Sequence, residues 1–159
     1  LTGADLTDAN LTRADLTRAD LTGADLTGAD LTGADLTDAN LTDADPRTMR
    51  TIKADLWEIL LKNRAEVPGL LAALREGRID GSTYRGSCAC LVGTIANVRG
   101  APVESLEPDS GRPAERWFLA IREGHTPSNH PIAKITEGWI VEFLALTGDA
   151  AIAKAEAGR

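Results

Sequence analysis

The sequence predicts a mixed fold, with a short stacked solenoid over residues 1–45 followed by a separate, mostly helical domain. Three observations carry this expectation. Residues 1–45 are nine five-residue repeats without a break, Pro46 ends them, and from Thr51 onward the apolar residues recur at helical spacing.

The repeats read Leu-Thr-x-Ala-Asp or Leu-Thr-x-Ala-Asn. Leucine stands at 1, 6, 11, 16, 21, 26, 31, 36 and 41, with alanine three places after each. A period of five fits neither the 3.6 of a helix nor the 2.0 of a strand, so either element would scatter the leucines over all faces. A fixed short period without helical or strand phase implies a stack of coils in which each repeat buries its apolar side chains against its neighbours.

Ala4-Asp5-Leu6-Thr7-Asp8 and its successors resemble the pentapeptide-repeat family, whose signature is A-[DN]-L-x-x. That resemblance implies a right-handed quadrilateral β-helix with one pentad per side. Each Leu and the Ala two places before it would point inward, and Asp/Asn, Thr and x outward. Only Ala is small enough for the tight corner beside a large Leu. Four sides make coils of twenty residues, so nine pentads give a little over two coils, stacked to about 10 Å at the usual strand spacing of about 4.8 Å. Residues twenty apart should then lie over one another. Leu1, Leu21 and Leu41 would form an inner column, and Asp5, Asp25 and Asp45 an outer one. Asp15 would lie over Asp35 and Arg18 over Asp38. Leu6 through Leu36 should be buried and the Thr after each exposed.

Charge is divided unequally. Ten Asp and two Arg give the repeat block a net charge of −8, whereas residues 46–159 sum to +1. An acidic surface does not suit a phosphate backbone, so direct nucleic-acid binding is not expected. It suits basic partners, cations or plain solubility. The candidate acidic face is Asp5, Asp15, Asp20, Asp25, Asp30, Asp35 and Asp45. The plainer reading is that Asp is merely the common outward residue of such repeats.

A short solenoid exposes Leu and Ala at both ends, and such ends need covering. Residues 46–51 are read as a linker and cap, with Met49, Ile52 or Leu56 expected to lie over the last coil. The sequence opens on Leu1 in mid-pattern, so further repeats or a neighbouring copy are expected at the other end. The repeat's only apolar side chains are Ala and Leu, which suggests that it does not share the helical core.

Residues 52–148 hold the helical domain and all six aromatics. About five helices are expected there. The first has Thr51 as N-cap and a stripe of Ile52, Leu56, Ile59 and Leu60. The second spans about 66–76 and the third about 87–98, ending at Gly100. Residues 101–111, rich in Pro, Ser and acid, read as an exposed loop. The fourth helix opens at Pro113, buries Trp117, Phe118 and Ile121, and ends before Gly124. The fifth runs from Pro131 to before Gly148 with Ile132, Ile135, Trp139 and Phe143 on one side. Residues 149–159 read as a frayed Ala-rich tail. Trp57-Glu58-Ile59-Leu60, Ala65-Glu66-Val67-Pro68, the run from Asp80 to Thr94 and Arg112-Pro113-Ala114-Glu115-Arg116-Trp117-Phe118 resemble an uncharacterised domain found after pentapeptide repeats in phage and prophage proteins. That resemblance covers roughly residues 50–145 and implies a context rather than an activity.

No catalytic residue, metal site or cofactor is expected. Cys88 and Cys90 with His125 and His130 could in principle offer four zinc ligands, but structural sites use C-x₂₋₄-C rather than C-x-C. If both cysteines are helical they point to different sides, which argues against a disulfide too. A Cys nucleophile with a His base has no supporting motif. The expected state is two small buried cysteines and two loop histidines. Arg112, Glu115 and Arg116 with Asp80 nearby could form a polar site; the simpler expectation is that they tie a loop to a helix end. No apolar run reaches membrane-spanning length. A bacterial cytoplasm or a phage virion is the expected location.

Three functions compete. The favoured one is a non-enzymatic structural or protein-binding module, with a protein partner or self-association into a homo-oligomer. The second is mimicry of duplex DNA, by which some pentapeptide-repeat proteins occupy topoisomerases. A rod of about 10 Å spans only about three base pairs at 3.4 Å each, which argues against it. The third is an enzyme in the helical domain, which no motif supports.

Overall fold

In the computed structural model of the chain, residues 1–26, 28–31, 34, 36, 39–41, 46–87 and 89–148 are described. The repeat folds into stacked coils with a register of twenty residues. Leu6 N donates to Asp25 O at 2.8 Å, Leu11 N to Asp30 O at 2.9 Å and Leu21 N to Asn40 O at 2.8 Å. In return, Asp25 N donates to Ala4 O and Asn40 N to Ala19 O, both at 2.9 Å. The links are isolated parallel bridges, Asp5 to Asp25, Asn10 to Asp30 and Asp20 to Asn40. Among the described residues these do not extend into strands, in contrast to the strands expected of the repeat.

The reason lies inside each pentad. The Ala amide donates back to the Leu carbonyl three residues earlier, from Ala4 N to Leu1 O at 3.0 Å through Ala39 N to Leu36 O at 2.9 Å. Among the described residues each Leu-Thr-x-Ala with such a bond is thus a turn, and only the Asp or Asn between turns is extended enough to bridge. With one turn per pentad and a twenty-residue register, four pentads complete a circuit. The x residue is left-handed wherever its backbone is recorded in this region: φ is +66° at Gly3, +54° at Asp8, +57° at Arg13 and Arg18, and +69° and +68° at Gly23 and Gly28. A turn with a left-handed third residue favours Gly, which explains the glycines at x. Arginine bears a Cβ penalty there. Arg13→Gly is therefore expected to stabilise the coil by about 0.5–1 kcal/mol, the steric relief less Gly's extra chain entropy. Thermal unfolding checks this, and a lower midpoint would contradict it.

Burial follows position in the stack. Leu21 and Leu36 are fully buried, Leu16, Leu26, Leu31 and Leu41 nearly so, and Leu1 is 57% exposed. Leu6 and Leu11 of the first coil are only partly buried, contrary to expectation. Thr2, Thr7, Thr12 and Thr17 are exposed and Thr22 is half-buried.

Among the described residues five α-helices follow. α1 (Pro46–Lys62) starts five residues before the expected Thr51 cap, so residues 46–51 are its first turns and not a separate linker. Proline at the first helical position has a φ already suited to the helix and lacks only an N–H that would have no partner there. A 3₁₀ turn (Arg64–Glu66) leads into α2 (Val67–Arg75). α3 (Leu91–Arg99) begins later than expected. Ala89 is instead bridged to Ile79, Asp80 N donates to Ala89 O at 3.0 Å and Cys90 N to Thr83 O at 2.7 Å. These bonds hold Cys90 extended as the residue before the helix, so the argument that placed Cys90 on a helix face does not apply.

The stretch 101–111 is not simply a loop, since Val103–Leu106 forms a 3₁₀ turn with Val103 buried. α4 (Pro113–Phe118) is shorter than expected. The Phe118 carbonyl lies where Gly81 would carry a Cβ, 2.0 Å away, and Ile121 O accepts from Gly81 N at 2.9 Å. This close approach turns the chain out of the helix. α5 (Pro131–Thr147) ends at a left-handed Gly148, as its sequence suggests.

α1 packs on α4 and α5, and α2 on α3 and α5. Trp57, Trp117, Trp139 and Phe143 meet between α1, α4 and α5. Trp117 and Trp139 centroids lie 5.4 Å apart, and Trp57 meets the Phe143 ring edge-on at 5.9 Å. The buried side chains of the coils and of the helices form one continuous cluster, from Leu16 to Leu144. The two segments therefore share a core, contrary to the composition argument. Although the coil offers only Leu and Ala, α1 supplies Ile52 and Leu56 to the same cluster. No helix among the described residues is long and apolar enough to cross a membrane.

Candidate functional site

The residues of the candidate acidic face sit in the turns. Asp5 Oδ1 accepts Thr7 N, Asp15 Oδ1 accepts Thr17 N and Asp20 Oδ1 accepts Thr22 N, each at 3.0 Å. Asn10 Oδ1 accepts Thr12 N at the same distance. The position thus needs a side-chain oxygen two residues before an amide, the Asx-turn arrangement, and Asp and Asn supply it equally. The Thr17 and Thr22 hydroxyls donate to the same oxygens of Asp15 and Asp20. Asn40 Nδ2 donates to Thr22 Oγ1 at 3.0 Å and joins two coils. The fold therefore fixes the orientation of these carboxylates.

Asp5, Asp15 and Asp20 are exposed, and Asp25 and Asp30 half-buried. Asp5 and Asp25 stack as the register requires. Asp35, Asp38 and Asp45 lie outside the described residues, and with them the expected pairings of Asp15 with Asp35 and Arg18 with Asp38. The threonine hydroxyls, then the threonine amides, hold the Asp5 and Asp20 carboxyls below the ordinary carboxylate range; for Asp5 the neighbouring Asp25 charge opposes this weakly.

A depressed folded-state value means these bonds favour the folded coil above the ordinary value of 3.8 and lose that preference as pH falls through the lowered one. The coil is therefore expected to loosen below about pH 4, the ordinary carboxylate value. Asp20→Asn keeps the acceptor oxygen, so it should lower neutral-pH stability only slightly and remove part of the acid sensitivity. Asp20→Ala should lower stability at neutral pH by removing the oxygen itself. Equal stability of the Asn and Ala variants in thermal unfolding at pH 7 would contradict the turn assignment.

The second candidate group lies at the junction. Met49 is half-buried and packed on the shared cluster, Ile52 is largely buried and Leu56 fully so. Ile52 lines a cavity of about 250 Å³ together with Leu26 and Leu31 of the coil and Pro113, Arg116 and Trp117 of α4. Arg116 Nη2 donates to Gly28 O at 2.8 Å, a direct bond from helix to coil.

The polar residues around α4 do not converge. Arg112 donates to Asp55 Oδ1 through Nε at 2.9 Å and Nη2 at 2.6 Å, and Ala114 N donates to Asp55 Oδ2 at 2.9 Å. Glu115 is almost fully buried and accepts the Tyr84 hydroxyl at 2.8 Å and Asp109 N at 2.9 Å. Burial first, then this hydrogen bond to a carboxylate, raises the Tyr84 phenol above its ordinary value. Asp80 is elsewhere, capping Ser82 N at 2.9 Å and facing Arg122 Nη1 at 3.5 Å. Each of these residues ties a different pair of segments.

Cysteine and histidine are also dispersed. Cys88 lies outside the described residues. Cys90 is buried, and burial pushes its thiol up to about 11, which leaves little thiolate at neutral pH. His125 and His130 stack face to face at 4.0 Å, and His125 Nδ1 accepts Arg122 N at 3.1 Å. His130 is buried and extended, the residue just before α5. Among the described residues no three His, Cys, Asp or Glu side chains are grouped to hold a metal ion.

Sequence reasoning missed the junction cavity and the reach of Arg116 to the coil. The position of Arg116 one turn into α4 was visible, but its target was not. Residues 1–38 match the family model described as pentapeptide repeats, in eight copies. No curated protein and no solved structure matches the chain. The turn in every pentad, the twenty-residue register and this match agree that residues 1–38 are a pentapeptide-repeat segment, a kind of unit that suggests a protein-interaction or structural module.

Proposed function

We propose that the chain is a non-enzymatic protein-binding module in which a right-handed quadrilateral β-helix presents an acidic face and the helical domain closes one of its ends. The observation that supports this most is the tying of each recorded outward Asp or Asn oxygen to the amide two residues on. Rigid, regularly spaced carboxylates bind a basic surface without a large ordering cost, because their rotamers are already fixed. Met49, Ile52 and Leu56 act as the cover of the last coil in this reading. The repeat is 1–45 and the helical domain begins with α1 at Pro46 and runs to 148, its first turns, 46–51, belonging to the cover, with 149–159 a tail. A phage or prophage setting, in the bacterial cytoplasm or a virion, rests on the resemblance of residues 50–145 alone.

The partner is a protein with a basic surface. The test compares the intact chain with a variant carrying Asp5→Asn, Asp15→Asn, Asp20→Asn and Asp25→Asn, which the Asn10 geometry marks as fold-preserving. A basic protein captured by the intact chain should be lost by the variant, while circular dichroism is unchanged. Retention of the same partner by the variant would overturn the acidic-face reading. Inhibition of gyrase supercoiling by the intact chain, lost in the variant, would replace it with DNA mimicry.

A further inference from the structure

We propose that the junction cavity is a binding site for a small amphiphilic carboxylate, its apolar tail between coil and helices and its carboxylate on Arg116. The site is independent of the acidic-face reading. Leu26, Leu31, Ile52, Pro113 and Trp117 give the cavity of about 250 Å³ a mainly apolar wall, and Arg116 places a guanidinium in it. That size is somewhat below the range of about 300–1,000 Å³ usual for ligand pockets, so the ligand is small. An apolar wall with one oriented polar group is the usual make-up of a small-molecule site.

Arg116 sets the headgroup. Arg75, Arg99, Arg112 and Arg122 each face a carboxylate, Glu137, Glu66, Asp55 and Asp80 respectively. Arg116 differs. Its recorded side-chain bond is the one from Nη2 to Gly28 O, and among the described residues no carboxylate lies within ion-pair range of it. A guanidinium carries five N–H donors in a planar fork that fits a carboxylate edge. The bond to Gly28 fixes the fork at the cavity and leaves donors over. A cationic headgroup would be repelled there, and a neutral one would gain less. A phosphate dianion commonly draws on more donors than one arginine supplies. The aspartates of the coil repel an anion at long range, so the attraction must be local, and salt near 0.15 M, where the screening length is about 8 Å, favours it.

Octanoate, octanol and octylamine are the probes, titrated into the intact chain by calorimetry at neutral pH in that salt. Octanoate should bind saturably and about tenfold or more tighter than octanol, with octylamine weaker than both. The Trp117 indole N–H resonance should move on addition of octanoate, and that of Trp57, outside the cavity, should not. Arg116→Gln should bring octanoate down to the affinity of octanol and leave octanol unchanged. Thr51→Phe, which narrows the cavity from an exposed position of α1 and keeps Arg116, should abolish binding of both. Octanoate no tighter than octanol in the unaltered chain would overturn the proposal, as would octanoate binding that persists in Thr51→Phe. The comparison of probes needs no substitution, so it stands even if Arg116→Gln loosens the junction.

Discussion

Leu21→Asp is expected to destabilise the coil block by about 4 kcal/mol or more, the range reached when a charge is buried without a partner. Leu21 is fully buried, and its register places it between Leu1 and Leu41. A carboxylate there meets only Leu and Ala, so it must either be buried charged or take up a proton at a cost. Thr12→Lys, on an exposed position of the same coil, should change stability by less than about 0.5 kcal/mol. Amide hydrogen exchange at Leu6, Leu11 and Leu21, whose N–H groups bond across the coils, reads the effect directly. Trp57, Trp117 and Trp139 all lie in the helical part and report on it separately. Because the core is continuous, the transition seen by tryptophan fluorescence should also move to lower denaturant, though by less, since the helical part holds every aromatic. Unchanged exchange at those three amides would sink the assignment of Leu21 to the inside.

The repeat was legible because its period is uninterrupted. Once five residues recur without a break, the inward Leu and the twenty-residue register follow from the resemblance, and the bonds of Leu6, Leu11 and Leu21 agree with them. The left-handed x residue was legible in principle, from the glycines at 3, 23, 28 and 33, but Asp8, Arg13 and Arg18 at the same position hid it. In the helical part, α5 was read nearly to the residue because Pro131 and Gly148 mark its ends. The start of α3 was misplaced because Ala89 is held by Ile79 and Cys90 by Thr83, pairings that local propensity does not contain. The shared core was misjudged for a related reason. Composition shows that the coil has only Leu and Ala, but not that α1 begins at Pro46 and brings Ile52 and Leu56 into the same cluster. The acidic face was foreseen as a set of charges, whereas the junction cavity depends on the direction of one arginine.

The ion pair that holds that arginine's helix in place should be the most sensitive polar contact in the helical part. Asp55 of α1 accepts two bonds from Arg112 and one from Ala114 N, so a single carboxylate both pairs with the arginine and caps the start of α4. The Asp55 and Arg112 side chains are only 15% and 25% exposed, and the pairing raises Arg112 above its ordinary value. Solvent screening is therefore limited, and removal of one partner leaves the other charge partly buried. Asp55→Ala should cost about 3 kcal/mol, the lower end for broken buried pairs because Glu58 lies 3.4 Å from Arg112 and takes over part of its charge. Asp55→Asn should cost less, since an amide oxygen can still accept from Ala114 N. The loss should extend beyond α4 itself. α4 carries Arg116, bonded to Gly28, and Trp117, packed on Trp139, so releasing its first turn frees the wall between helices and coil. Denaturant unfolding of Asp55→Ala, Arg112→Ala and the double variant forms a cycle with an expected coupling of about 1–3 kcal/mol. Hydrogen exchange at Asp25 and Asp30 in the coil should rise in Asp55→Ala although neither residue touches the pair. A coupling near zero, or exchange confined to α4, would show that the junction is held by apolar packing alone.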